Sequence, residues 1–168
     1  MKIIRVEANN RKRAFEVHVG KRVLLLPYAA IRPTPSTKNR IVGIAVDSDM
    51  GNEGFIYRLA SGKEGVVHID HVLEYNKDPV FMKEEALYRM TLVAQKAVKS
   101  SPLGVRELTR RLKTSPAQFY RLLDQTNYNK SLMQMIELLV LLNQEVGISV
   151  RPRSRAKDAH TFWFSTTS

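Results

Sequence analysis

The sequence predicts an α+β protein: a small, mostly antiparallel N-terminal β domain over residues 1–77, then a compact four-helix domain over 78–168 with a C-terminal β hairpin or strand. Three observations predict it. The first 75 or so residues alternate apolar and polar side chains, the two-residue period of a half-buried strand. Beyond Asp78 the apolar positions recur three and four apart, the spacing of a helix with one buried face. Between them, Glu74–Pro79 carries boundary signals, with Asp78 suited to cap a helix and Pro79 to its first turn.

In Ala14–Tyr28 (AFEVHVGKRVLLLPY), Phe15, Val17 and Val19 share one face before Gly20-Lys21 turns the chain into Arg22–Tyr28. That pattern is a hairpin with a tight connection. Arg32–Thr37 (RPTPST) holds two prolines and reads as a loop, because proline cannot donate to a central ladder. RIVGIAVD and GFIYRLASGKEGVVHID supply three more strands, the last two joined at Ser61-Gly62-Lys63. Phe55, Tyr57 and Leu59 share a face, and Val67 and Ile69 also alternate.

The helical half shows four stripes. Leu87, Met90, Ala94, Ala97 and Val98 form the first, ending at Ser100-Ser101-Pro102; Val105, Leu108 and Leu112 form the second. Phe119, Leu122 and Leu123 form the third; Leu132, Met135, Ile136, Leu139 and Leu142 form the fourth, closed by Gly147. Met133, Leu138, Val140 and Leu141 widen the fourth stripe. They predict a helix buried on two sides, against the β domain or a second copy of the chain. Ser115-Pro116-Ala117-Gln118 and Ser131-Leu132-Met133-Gln134 each place Ser at a helix cap and Gln three residues on. That is the pattern of a capping box, in which each side chain bonds the other residue's free N–H. ISVRP and TFWFS then offer two strands around the basic loop RSRAKDA.

The 168-residue chain has a formal net charge of +11 and a pI near 10.1. Residues 1–80 hold 13 Lys+Arg against 9 Asp+Glu, and residues 81–168 hold 14 against 7, so the basic excess leans toward the helices. A polyanionic partner follows, nucleic acid before a membrane surface. The absence of cysteine excludes disulfides and thiolate zinc sites and fits a reducing compartment. The longest aliphatic run, Leu138–Leu142, is far too short to cross a bilayer, and the expected location is cytoplasmic. No phosphate-cradling glycine motif, nucleophile elbow or paired-carboxylate arrangement stands out, so neither enzymatic activity nor a cofactor is expected. His68-Ile69-Asp70-His71, with Asp47 and Asp49, invites a metal reading. On a strand, however, the two histidines point to opposite faces, and no metal is expected.

Gly104–Val150 (GVRELTRRLKTSPAQFYRLLDQTNYNKSLMQMIELLVLLNQEVGISV) resembles the Cro/repressor-type (XRE) helix-turn-helix family. The likeness covers roughly residues 81–150. It rests on Leu108 and Leu112 in one helix, Thr114-Ser115 before the next, Phe119 and Leu122 inside it, and a polar link to SLMQMIELLVLL. In that family the second helix of the pair enters the major groove and the first crosses the backbone. The resemblance therefore implies a DNA-binding transcriptional regulator, repressor or antitoxin-like, that works as a homodimer on double-stranded DNA. It implies base contacts from Ala117, Gln118, Tyr120 and Arg121, beside Pro116, and phosphate contacts from Ser115, Asn127, Asn129 and Lys130. Arg106, Arg110 and Arg111 on the exposed side of the first helix add to these, as do Arg151, Arg153, Arg155 and Lys157 in the tail. Two positions depart from the family pattern: Thr109 stands where a small residue is usual, and Lys113 where a glycine is common. If that turn needs a positive φ, Lys costs about 1 kcal/mol more than Gly. The alternative reading is a protein-interaction module that uses a degenerate helix-turn-helix for packing or dimerisation.

Residues 1–75 are similar, on no sharp motif, to small uncharacterised bacterial β domains encoded beside toxin–antitoxin modules. That similarity implies a protein partner for the β domain, met through exposed aromatics such as Tyr57 or Tyr75. Single-stranded RNA binding by the same domain would need stacked exposed aromatics.

Overall fold

The computed structural model describes residues 1–152. The chain divides into two compact units: Met1–Thr91 with Gln125–Asn129, and Leu92–Asp124 with the described residues from Lys130 onward. It is mixed α/β, with two three-stranded antiparallel sheets and, among the described residues, five α-helices.

In the first unit, β1 (Arg5–Asn9), β2 (Ala14–Val19) and β3 (Arg22–Pro27) form one sheet. β4 (Ile41–Asp47), β5 (Gly54–Leu59) and β6 (Glu64–His68) form the other. The expected hairpin is present: Val19 pairs with Arg22 across Gly20-Lys21, and Gly20 takes φ +58° in the turn. Phe15, Val17 and Val19 are buried, as are Phe55, Tyr57 and Leu59, and both sets belong to one core. The Phe15 ring centroid lies 5.0 Å from those of Tyr28 and Phe55 and 5.3 Å from that of Tyr57. Tyr57 is thus a core residue rather than an exposed aromatic, while Tyr75 is 46% exposed. Gly65 pairs with Tyr57 in the ladder, where a Cβ would stand 2.3 Å from the tyrosine ring. Its missing side chain admits the ring, whose hydroxyl donates to the Pro33 carbonyl at 2.7 Å.

Ile69 does not continue β6, contrary to the strand reading. His68 Nδ1 accepts from the Asp70 N–H at 3.2 Å and caps α1 (Ile69–Asn76), which buries Ile69, Val72 and Leu73. Those three positions are also one helical face, and the cap decides between the two periods. Asp78 then caps α2 (Pro79–Ser100) as expected: Oδ1 accepts from Val80 N–H at 3.2 Å and Phe81 N–H at 3.1 Å. Its Oδ2 takes Arg22 at 2.5 Å. The Phe81 bond first, and the guanidinium second, hold this buried carboxyl below its ordinary range. Residue pattern changes at Lys77, whereas the units divide inside α2, because Phe81 still packs on the first unit's core.

The second unit holds α3 (Val105–Arg111), α4 (Pro116–Leu123) and α5 (Leu132–Leu141). Leu108, Leu112, Phe119, Leu122, Met135, Leu138, Leu139 and Leu142 are buried, with Ala94 and Ala97 of α2. Lys113 takes φ +51°. Its N–H bonds Arg110 O at 3.2 Å and the Thr114 N–H bonds Thr109 O at 3.0 Å, the paired bonds of a Schellman ending. α5 ends the same way at Asn143 (φ +58°), with bonds to Val140 O and Leu139 O, and not at Gly147. Within the chain α5 is covered on one side: Met135, Leu138 and Leu139 are buried, while Leu132, Met133 and Val140 are 48, 64 and 58% exposed. Ile148–Pro152 forms no strand. The other tail strand expected, and Arg153, Arg155 and Lys157, lie outside the described residues. No helix among the described residues is long and apolar enough to cross a membrane.

Candidate nucleic-acid interface

The site that sequence reasoning favours is built on α4, an eight-residue helix with a divided surface. Phe119 and Leu122 are buried, while Pro116, Ala117, Gln118, Tyr120 and Arg121 are exposed. Ser115 fixes where the helix starts, its Oγ accepting from the Gln118 N–H at 3.2 Å, with Pro116 at the first helical position. Only this half of the expected capping box forms. The Gln118 side-chain amide has no partner among the described residues, and the Gln134 amide at the start of α5 likewise leaves Ser131 unreciprocated. The Tyr120 ring meets Phe119 edge-on with centroids 5.8 Å apart, and 60% of the residue is exposed.

The far end of α4 is held by two side chains that local sequence patterns do not announce. Gln95 of α2 donates to Leu123 O at 2.8 Å. Lys130 donates through Nζ to Leu122 O at 2.9 Å and Asp124 O at 2.5 Å. A cation on the last carbonyls satisfies groups that the helix leaves open and complements its dipole. Partial burial draws the Lys130 ammonium below its ordinary range. Lys130, expected at phosphate, is therefore turned onto its own chain.

On α3, Thr109 is buried and its hydroxyl donates to Arg106 O at 2.9 Å, so the larger residue at this position is satisfied internally. Arg106 is exposed and has no side-chain partner among the described residues. Arg110 and Arg111 are different. Both grip Glu107: Arg110 by two bonds at 2.9 and 2.7 Å, Arg111 by one at 2.6 Å. The Arg110 bonds, then that of Arg111, pull the Glu107 carboxyl down to about 2. Sequence reasoning counted three arginines here and missed the acid that holds two of them, although Glu107 sits at the readable i, i+3 and i, i+4 spacings.

No family model, curated protein or solved structure matches the chain.

Five further predicted contacts lie apart from α4 in sequence or unit. Asn127 and Asn129 belong to the first unit, where Asn127 Oδ1 accepts from the Asn129 N–H at 3.1 Å. Arg151 is exposed in a segment without regular structure, and Arg153 and Arg155 are outside the described residues. Two of the residues that invited a metal reading have local roles. His68 is a cap, and Asp47 Oδ1 closes its own turn by accepting from Asp49 and Met50. Glu7, Glu16 and His18 bring ligand atoms within 4.8 Å of one another on β1 and β2. Arg5 and Lys12 already stand against these carboxylates at 3.3 and 3.0 Å.

Proposed function

We propose that the second unit is a DNA-binding domain and that the chain is a transcriptional regulator of the repressor or antitoxin-like kind. One observation carries the reading: α4 is fixed at both ends while its outward face presents Ala117, Gln118, Tyr120 and Arg121 to solvent. A helix that reads bases must be rigid and must expose side chains able to meet base edges. Arg121 suits the two acceptors of guanine, Gln118 the donor–acceptor pair of adenine, and Ala117 the methyl of thymine. Arg106 on α3 supplies the phosphate contact, and the +7 excess of residues 81–168 supplies the long-range attraction.

The exposed apolar residues of α5 support pairing with a second copy, and dimers of this kind read two half-sites about a helical turn apart. Sedimentation is expected to show a dimer at micromolar concentration, with or without duplex; a monomer under both conditions rejects that part.

A second reading, a protein-interaction module, is favoured by one specific feature: Glu107 neutralises much of the charge of Arg110 and Arg111. Selection from random duplex DNA separates the two. A regulator enriches a defined motif, and Arg121→Ala relaxes one position of it at a cost of ~1–3 kcal/mol on the best site. An empty selection leaves the interaction module.

A further inference from the structure

Two basic loops of the first unit face a common cavity that the DNA reading does not use. Asn10-Arg11-Lys12-Arg13 joins β1 to β2, and Ser36-Thr37-Lys38-Asn39-Arg40 leads into β4. Both are held by backbone bonds. Arg13 O accepts from the Tyr28 N–H at 2.9 Å, Ser36 and Asn39 exchange bonds at 3.0 and 3.2 Å, and Arg40 O accepts from the Ala60 N–H at 2.9 Å. Between them lies a cavity of about 260 Å³ whose lining includes Asn10, Arg13, Tyr28, Ser36, Thr37 and Arg40.

The chemistry of this lining is one-sided. The Arg13 and Arg40 guanidiniums have no hydrogen bond or ion pair among the described residues, and no carboxylate lines the cavity. Asn10 gives its carbonyl oxygen to the Tyr28 hydroxyl at 3.2 Å, which leaves its NH₂ as the free end. The Thr37 hydroxyl is without a partner among the described residues. Glu16, the acid nearest in sequence to Arg13, is held by Lys12 at 3.0 Å and Asn9 at 2.8 Å. Two unpaired guanidiniums among further donors ask for a compact ligand rich in acceptors and negatively charged, and forked guanidinium donors match phosphate oxygens.

Size and shape narrow the class. A cavity of about 260 Å³ sits just below the usual range for small-molecule sites, about 300–1,000 Å³. That volume has room for a phosphate with a small organic piece. Ile41 and the ring of Tyr28 give that piece an apolar wall. We infer that this cavity binds a small organic phosphate monoester, gripped between Arg13 and Arg40. The inference stands apart from the DNA reading, which rests on the other unit.

The test follows the backbone amides of the full chain by ¹⁵N–¹H NMR while ribose 5-phosphate is added at constant ionic strength. Ribose, inorganic phosphate and a single-stranded oligothymidylate are run as separate arms. Saturable shifts of Arg13, Tyr28 and Ser36–Arg40 with ribose 5-phosphate, weaker ones with inorganic phosphate and none with ribose, are expected. Arg40→Ala and Arg13→Asn should each weaken binding about 10- to 100-fold with the rest of the spectrum unchanged, while Lys63→Ala at the β5–β6 turn should not. Asn is chosen because residue 13 sits at φ +51°, a conformation it tolerates. No saturable shift at these amides overturns the inference, as does binding by both arginine variants as tight as by the unaltered chain. Tighter binding of the oligonucleotide at the same amides also overturns it, in favour of nucleic acid. Equal affinity for inorganic phosphate and ribose 5-phosphate overturns the organic part.

Discussion

Glu107 sets how much positive charge α3 offers to a partner. Its carboxyl, pulled down to about 2 by Arg110 and Arg111, stays ionised at any ordinary pH, so the cluster carries +1 in place of +2. Phosphate must compete with it for both guanidiniums. Glu107→Gln should therefore tighten duplex binding and steepen its salt dependence by about 1–2 in log–log slope, since each added phosphate contact contributes about 0.9. Anisotropy titrations at several salt concentrations measure this, and an unchanged slope would show that Arg110 and Arg111 do not touch DNA. Much of the candidate site at this scale was legible: Ser115 at the cap, Phe119 and Leu122 turned inward, Arg121 turned outward. The partner of Lys130 was not, because reaching back eight residues to Leu122 O depends on how the chain folds across the α4–α5 link.

At the scale of elements, three helices among the described residues end on a non-glycine residue with positive φ: Lys77, Lys113 and Asn143. The turn between α3 and α4 shows the cost most plainly, because only Lys113 supplies the left-handed residue there. Lys113→Gly should stabilise the second unit by about 0.5–1 kcal/mol, the strain relieved less the chain entropy that glycine adds. A shift of the denaturant midpoint upward is expected; a downward shift would mean that the turn is held by the lysine side chain. In the β half the converse holds at Gly65. Gly65→Ala would drive a methyl into the Tyr57 ring and should cost about 1–3 kcal/mol. Less should be lost when Tyr57 is already Leu, and equal losses in both backgrounds would refute the contact. Strands and helices with clean periods were legible from sequence, and so were the caps at Asp78 and Ser115. α1 was not: in Val67, Ile69, Val72 and Leu73 the two periods overlap, and the strand period runs on past the His68 cap.

For the whole molecule, composition pointed to a polyanion and residue pattern to two parts, but pattern and packing mark the division differently. The pattern changes where helical spacing begins, whereas α2 carries Phe81 into the first unit's core before its later residues join the second. Such a division follows from tertiary contacts that no local window contains. α5 is covered on one side within the chain, and sequence shows that a helix is apolar all round but not which neighbour covers each face. The central claim is that α4 reads duplex DNA while α3 holds its backbone. The salt dependence of binding to a selected duplex and to a random one, measured for the wild-type chain, Arg106→Ala and Arg121→Ala, tests it most directly. Linear loss of log affinity with log salt is predicted for both duplexes, with Arg106→Ala shallower by about 1 on each. Arg121→Ala should weaken the selected duplex about 5- to 150-fold and leave the random one nearly unchanged. No binding at low salt, or an Arg121→Ala effect equal on both duplexes, would contradict the claim.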